Sequence, residues 1–443
     1  MALSTKPYKG ARDFYPEDKR LQDYITNIWK QSCLSFGYEQ YDAPILEPAE
    51  LYSAKSSDEI VNEQTYIFTD RGDRQVVIRP EMTPSVSRLV AAKRQELVYP
   101  LRLFSTPNLW RYERPQRGRL REHWQLNADL FGLDGLDGDY EIILLADTIM
   151  QNFGANRNDY QIKINSRKLI NYIVTDYLQL NEEETVSLIR LIDKKDKMPA
   201  EQFEKLIQET LSASIDRDPE AANKVANILS IKNLQDLPEN IKNHNSYKEL
   251  LELEASLKKS GVTNAEYDIS LMRGFDYYTD IVFEVYDTNP DNSRSLFGGG
   301  RYDGLVGLFG VEPVPTVGFG MGDVTIRDFL ETHKLLPNLA SEIDAVVMPI
   351  GVKMVQIQGI LKTLRSQGTR LAVDPTDKKI DKKIKNTIKR GIKFVLFIGE
   401  EELVSKEFKV KDLETGEEIK DEIMAIAMIL TAQRWSGDTD EED

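Results

Sequence analysis

Trp110-Arg-Tyr-Glu-Arg-Pro-Gln-Arg-Gly-Arg-Leu-Arg-Glu-His-Trp-Gln-Leu-Asn-Ala-Asp-Leu-Phe-Gly132 is the stretch from which the fold can be read. Between Arg102 and His123, six arginines (Arg102, Arg111, Arg114, Arg117, Arg119, Arg121) face only Glu113 and Glu122. Pro115 and Gly118 break the run into two arms around a short loop. Both arms alternate as strands do: Leu101 and Leu103 on entry, then Trp124, Leu126, Ala128 and Leu130 on exit. The polar positions in register on the other face are Arg111 and Glu113 on one strand, and His123, Gln125 and Asp129 on its partner. A solvated surface is the ordinary account of an arginine run. The alternation points instead to a polar site on rigid strands with a basic loop at its lip, suited to a polyanion.

Outward from this window, apolar residues Leu21, Tyr24, Ile25, Ile28, Trp29, Cys33 and Phe36 have helical spacing, and Gly37 follows as a C-cap. An extended segment with Pro44 and Pro48 comes next, placed by its prolines at an edge or interface. Residues 65–70 and 75–79 read as a hairpin around Arg71-Gly72-Asp73, and a helix begins after Pro84. After a helix over 140–153 and a strand over 160–164, residues 167–262 are charge-rich and helical, interrupted by Pro199, Pro219 and Pro238. Strand signals return over 267–286, followed by glycines 298–300 and a helix from about 322. Beyond Pro337, strands and helices alternate with a hairpin about Thr415-Gly416, a small α/β unit with a mostly parallel sheet. The boundaries expected are 1–166 and 263–333 for a split first domain, 167–262 for a helical insertion, 340–436 for the α/β domain and 437–443 for an acidic disordered tail.

Composition narrows the function. A chain of 443 residues needs more than one core. A formal charge of −16 argues against a general nucleic-acid coat, though not against an enzyme with its positive charge gathered in one cleft. One cysteine, Cys33, cannot build a disulfide framework, and three scattered histidines offer no zinc signature. No run is long enough to span a bilayer, so no membrane partner is expected. The expected setting is the cytoplasm.

Three further segments join the window: Arg79-Pro80-Glu81-Met82-Thr83, Met272-Arg273-Gly274-Phe275-Asp276-Tyr277-Tyr278-Thr279, and Phe297-Gly298-Gly299-Gly300-Arg301-Tyr302-Asp303-Gly304. Arginine, aspartate and two tyrosine hydroxyls in one short strand all need partners. Glycines 298–300 let backbone approach a ligand closely. Together these segments resemble the histidyl-tRNA synthetases, class II aminoacyl-tRNA synthetases, over nearly the whole length from Lys9-Gly10-Ala11-Arg12 onward. The helix ending at Gly37 resembles the first class II motif, Arg111-Tyr112-Glu113 the second, and Pro315-Thr316-Val317-Gly318-Phe319-Gly320-Met321-Gly322 the start of the third. The fold implied is an α+β catalytic domain on an antiparallel sheet, a helical insertion and a C-terminal α/β anticodon-binding domain.

The resemblance implies a homodimer that activates histidine with ATP and Mg2+ and passes it to tRNA(His), with no metal ligands assigned on the protein. Arg111 and Arg273 would be the catalytic residues at the α-phosphate, because a guanidinium fork stays charged and donates bidentately. Glu113, Arg119, Arg121, His123 and Thr325 would complete the ATP site. Glu81, Thr83, Gln125 and Asp129 would take the amino group and carboxylate of histidine. Tyr277, Tyr278, Gly299 and Tyr302 would surround the rest of it, with Tyr278 and Tyr302 at the ring. Gln116 and Arg117 in the loop and Lys382, Lys385 and Lys389 in the last domain would contact tRNA.

Two positions depart from the family pattern. Thr325 stands where an arginine usually stacks on adenine, and His123 where phenylalanine forms the other jaw. Arg327 is two residues round the helix from Thr325 and is spaced to pair with Asp323 instead. Asp129 replaces the usual glutamate. A non-catalytic relative, the regulatory subunit of ATP phosphoribosyltransferase, or a tRNA-sensing paralogue is the alternative; the first is expected to lack the C-terminal domain and the Arg273–Thr279 segment.

Overall fold

In the computed structural model the alternation over 122–131 becomes the long strand Glu122–Phe131, in the interior of a nine-stranded sheet among the described residues. These are residues 3–53, 64–192, 200–212, 221–231, 233–271, 277–292 and 294–432. Glu122–Phe131 pairs antiparallel with Leu101–Ser105 on one side and Thr316–Gly322 on the other. Ser295–Arg301, Ile281–Asp287 and Tyr160–Ser166 follow, each antiparallel to the last. Short parallel strands, Glu39–Gln40 and Ala265–Tyr267, close the two ends.

Period two divides this sheet into two chemically different faces. Leu126, Ala128, Leu130, Phe283, Val285, Phe319 and Met321 join one apolar core. Helices Pro16–Ser35 and Leu136–Asn152 cover that face with Ile25, Trp29, Cys33, Ile142, Ala146 and Ile149. Each large side chain so buried contributes about 1.5–3 kcal/mol. The first helix starts with Pro16 and the acids Glu17 and Asp18, and the turn after it is completed by Gly37 at φ +79°. Trp29 reaches the sheet itself, its indole N–H donating to Met321 Sδ at 3.0 Å. The opposite face carries Gln125, Asn127 and Asp129 and is left for the site.

Between Ser166 and Ala265 the described chain contains helices, including Glu182–Ile192, Ala200–Ser212, Ala221–Ser230 and Asn245–Lys259, and no strand. Their apolar residues Leu188, Ile207, Val225, Leu253 and Leu257 belong to the same core as the sheet. Pro199 and Pro219 lie outside the described residues, as does the acidic tail. Strand structure over the 267–286 stretch is narrower than its composition suggests: among the described residues only Ile281–Asp287 and the end of Ala265–Tyr267 are strand, and Tyr277 lies in a turn. The reason is geometric. Successive strand residues point to opposite faces, whereas Tyr277 and Tyr278 line one cavity together.

Residues 337–443 form a separate unit. Its sheet runs Leu371–Val373, Ala345–Ile350, Phe394–Gly399, Glu407–Asp412, Glu418–Glu422. The first three strands are parallel and the last two antiparallel, so the sheet is mixed rather than mostly parallel. The tight turn at Gly416, φ +79°, can join only antiparallel neighbours.

Candidate active site

The polar face of the large sheet floors a cavity of about 190 Å³. Glycines make the room. Gly318 faces Asp129 across the strand pair and Gly320 faces Asn127. A Cβ on Gly318 would lie 2.2 Å from Asp129 Oδ1, and one on Gly320 3.0 Å from the Gln125 amide. The carboxylate and the amide therefore lie flat over backbone that has no side chains of its own.

Asp129 is buried and accepts a hydrogen bond from the Tyr302 hydroxyl at Oδ1, while Oδ2 is buried without a hydrogen-bond partner. Burial pushes its carboxyl up to about 7, opposed by the Tyr302 hydrogen bond. Such a group is an acceptor suited to a ligand N–H. Across the cavity, Tyr277 donates to Glu81 Oε2 at 3.2 Å and stands 3.4 Å from Thr83 Oγ1. The backbone of Glu81 is held by the Tyr52 hydroxyl at 3.1 Å. The rings of Tyr277, Tyr278 and Tyr302 pack edge to face, with centroids 5.0, 5.6 and 6.5 Å apart. Burial raises all three hydroxyls, so they remain protonated donors.

Arg111 lines the same cavity and is oriented by donation from Nε to Pro80 O at 2.9 Å. Glu113 lies 3.5 Å from Arg119 Nε. Other arginines of the basic window are engaged by the fold. Arg102 forks onto Glu141 with two contacts of 2.7 Å. Arg121 is buried with its guanidinium 4.0 Å from the Tyr112 ring centroid, and donates to Glu113 O and the Tyr8 hydroxyl at 3.0 Å. Neither lines the cavity. Arg273 lies outside the described residues.

His123 is held neutral. Burial, then the nearby charges of Arg111 and Arg12, push its imidazole down to about 3, and Nδ1 has no hydrogen-bond partner. Thr325 lines a second cavity, about 280 Å³, with Gln116, Arg117, Gly118, Leu296 and Asp328, and donates to Leu296 O at 2.7 Å. The expected Asp323–Arg327 pair is not formed. Asp323, fully buried at the start of the helix, turns inward to Arg12 at 2.6 Å and to the Trp124 N–H at 2.9 Å. Arg327 instead reaches Glu331 at 2.9 Å and Asp18 at 3.4 Å.

The cavity thus brings buried carboxylates, tyrosine hydroxyls, two amides and a guanidinium together over a glycine floor. Residues 10–323 match the family model described as histidyl-tRNA synthetase, and residues 344–432 the one described as anticodon binding domain. The chain belongs to the histidyl-tRNA synthetase family. It is 41% identical to a histidine–tRNA ligase of Leptospira biflexa over 418 residues, covering 93% of this chain and 94% of that one. A histidine–tRNA ligase of Thermoplasma volcanium is 35% identical over 414 residues, 93% of this chain and 94% of its own. Among solved structures, a histidyl-tRNA synthetase from Nostoc shares the fold at TM-score 0.80 and 21% identity, covering 98% of this chain and 100% of that one. A Bacillus halodurans protein described as an ATP phosphoribosyltransferase regulatory subunit/histidyl-tRNA synthetase shares the fold at TM-score 0.73 and 22% identity, covering 90% and 99%.

Within this synthetase site, sequence reasoning missed two groups. Asn127 lines the cavity and was available from the same period as Gln125 and Asp129. Glu284 also lines it, but only the pairing of Glu284 with Gly298 brings it there, and no local signal marks it. Arg301 proves to be structural: its guanidinium is buried on Asp139 at 2.6 Å and on the carbonyls of Gly135 and Leu133. Burial raises the Asp139 carboxyl to about 6 against the pull of Arg301. The pair anchors the strand end from which Arg301 O accepts the Thr279 N–H at 2.7 Å and Tyr302 enters the cavity.

In the C-terminal unit, Lys382, Lys385 and Lys389 are exposed on the helix Ile380–Lys389. Lys383 is buried and donates to Asp374 O at 2.9 Å, and Lys393 is paired with Asp412 and Glu414. Lys383 and Lys393 are thus engaged within the unit, while Lys382, Lys385 and Lys389 lie at its surface.

Proposed function

We infer that this protein is a histidine–tRNA ligase, which joins histidine to the 3′ end of its tRNA through a histidyl-adenylate. The observation that carries the reading is the paired arrangement of Asp129 with Tyr302 and Glu81 with Tyr277 around one glycine-floored cavity beside Arg111. Glu81 and Thr83 take the α-ammonium and Gln125 the carboxylate end. Asp129 is drawn toward the ring by Tyr302, so it accepts the imidazole N–H, with Tyr278 closing the other side. A site built to hydrogen-bond a ring N–H rejects amino acids that lack one, because its acceptor would stay buried and unpaired.

In the first step a histidine carboxylate oxygen attacks the α-phosphorus of ATP, the bond to the β-phosphate bridge breaks, and pyrophosphate leaves. Two anions must meet, so neutralisation and alignment dominate the barrier. Arg111, held by Pro80 O, supplies fixed positive charge; Arg273 supplies a second by family resemblance. Arg119 attends the outer phosphates, with Glu113 3.5 Å from its guanidinium. In the second step a ribose hydroxyl of the tRNA end attacks the acyl carbon and AMP leaves. Among the described residues no group of three or more His, Cys, Asp or Glu could hold a metal. Mg2+ would enter with the phosphates of ATP, held by them and by one or two carboxylates at most. Gln116 and Arg117 of the loop would meet the tRNA end, and Lys382, Lys385 and Lys389, exposed on one helix, would offer charge to the anticodon arm. The protein acts as a homodimer in the cytoplasm on this reading.

Exchange of labelled pyrophosphate into ATP, with each of the twenty amino acids in turn, tests it. Histidine alone supports exchange; a folded preparation that exchanges with none, or with another amino acid, refutes the assignment.

A further inference from the structure

Between the strand Gln75–Ile78 and the helix Thr83–Ala92 the chain turns through four residues that belong to neither. Backbone without a ladder of its own is fixed by the partners its carbonyls find. Arg79 O accepts from the Trp110 N–H at 3.2 Å, Pro80 O from Arg111 Nε at 2.9 Å, and Met82 O from the Val86 N–H of the helix at 2.9 Å. Glu81 O accepts from the Tyr52 hydroxyl at 3.1 Å. Tyr52 therefore holds the carbonyl of the residue whose carboxylate lines the glycine-floored cavity.

Behind Tyr52 runs a polar line of Ser85, Glu47 and Arg88. The strand Leu46–Pro48 leaves Leu46 and Pro48 exposed and buries Glu47. A carboxylate in that position is costly unless an opposite charge and hydrogen-bond donors meet it. Ser85 and Arg88 share one face of the helix Thr83–Ala92, and both reach Glu47 Oε1, Arg88 Nη2 at 2.8 Å and Ser85 Oγ at 3.0 Å. The Ser85 hydroxyl is in turn 3.1 Å from the Tyr52 hydroxyl. Ser85 has one proton and gives it to the carboxylate, so the phenol O–H, kept protonated by burial, is directed to Ser85 Oγ and Glu81 O. Glu47, Tyr52 and Ser85 are all buried, and none of them lines the cavity.

We propose that Tyr52 is a positioning residue for amino-acid activation: anchored through Ser85 on the Glu47–Arg88 pair, its hydroxyl fixes the Glu81 carbonyl and so aims the Glu81 carboxylate at the α-ammonium of histidine. This rests on the ligase reading above, which gives Glu81 that role. The carbonyl and the carboxylate of Glu81 branch from one alpha carbon, so turning the one moves the other. Tyr277 secures the far end of the side chain at Oε2 and Tyr52 its root. A group that aligns substrate loses much of its effect when displaced by about 1 Å. The ring and the carboxylate of histidine have other partners, so the effect of Tyr52 is confined to the ammonium.

The test is the Tyr52→Phe protein, which loses one oxygen and keeps the buried ring. Two ligands are titrated by calorimetry without ATP or tRNA: histidinol, which keeps the ammonium and the imidazole, and imidazole propionate, which lacks the ammonium. Histidinol affinity falls about tenfold, the size of one hydrogen bond, while imidazole propionate stays within about twofold of wild type. In pyrophosphate exchange KM for histidine rises by about the same factor and KM for ATP stays within about twofold. Ser85→Ala alone lowers histidinol affinity about threefold, and added to Tyr52→Phe it lowers it no further, because the two act in line. Losses that add, or an equal loss of both ligands, would make Tyr52 a packing residue and overturn the proposal. So would a Tyr52→Phe protein whose histidinol affinity and KM for histidine are within about twofold of wild type. Wild-type protein that binds histidinol but exchanges no pyrophosphate refutes the ligase reading, and the titrations still decide on Tyr52. Wild-type protein that binds no histidinol overturns both.

Discussion

Gly318→Ala is the most direct perturbation of the site, because its effect can be worked from distances alone. The new methyl would lie 2.2 Å from Asp129 Oδ1 and 2.7 Å from Ala128 O. A carbon and an oxygen approach comfortably at about 3.3 Å, so the carboxylate must retreat by about 1 Å. Asp129 cannot slide away freely, since Tyr302 holds Oδ1 and the strand is paired on both sides. A displacement of about 1 Å at a group that aligns substrate costs about 100-fold in rate. The expected outcome is a fall of about 100-fold in kcat/KM for histidine in pyrophosphate exchange, while KM for ATP moves by less than threefold. Strain against the Ala128 carbonyl costs about 1–3 kcal/mol of stability, read from the urea midpoint. Exchange kinetics are compared at a urea concentration and temperature where both proteins are folded. A folded Gly318→Ala protein with kcat/KM for histidine within threefold of wild type would refute the claim that this glycine makes the space in which Asp129 works.

Three other outcomes follow from the same geometry. Asp139→Asn leaves the Arg301 guanidinium buried beside a neutral group, and stability falls by about 3–5 kcal/mol in urea unfolding followed by tryptophan fluorescence; a loss under 1 kcal/mol would show the pair to be dispensable. Asp129, raised to about 7, keeps a proton in the folded state that the unfolded chain releases from about pH 4, so wild-type stability falls as pH rises across that window. The stability of Asp129→Asn relative to wild type therefore increases from pH 4 to pH 7 and levels off above it; a difference that does not vary with pH contradicts the raised carboxyl. Replacing Lys382, Lys385 and Lys389 together by Gln weakens tRNA binding and lowers the slope of log K against log salt by about 2–3, with pyrophosphate exchange unaltered; an unchanged slope removes these lysines from the RNA interface.

Much of the fold is legible in local pattern. Alternation over 122–131 marks a strand with one apolar and one polar face, and it could have yielded Asn127 along with Gln125 and Asp129. Helical spacing locates Pro16–Ser35, and the Arg71-Gly72-Asp73 turn locates the hairpin of Tyr66–Thr69 with Gln75–Ile78. The 277–280 segment misleads because tyrosine and threonine are strand formers, yet a turn is what aims two adjacent rings into one cavity.

By itself, the order of residues determines which side chains share a face, where chain direction reverses, and which residue types are gathered near the site, since these depend on neighbours within a few positions. Only the tertiary structure decides partnership. Asp323 meets Arg12, 311 residues away, rather than Arg327 four positions on. Arg102 and Arg121 hold the fold together while Arg111 faces the cavity, and the Thr325 methyl meets the loop at Gly118. Sheet register and burial set those choices: a charge removed from water takes whichever opposite charge or backbone acceptor the packing brings within about 3 Å, and distance along the chain has no part in it.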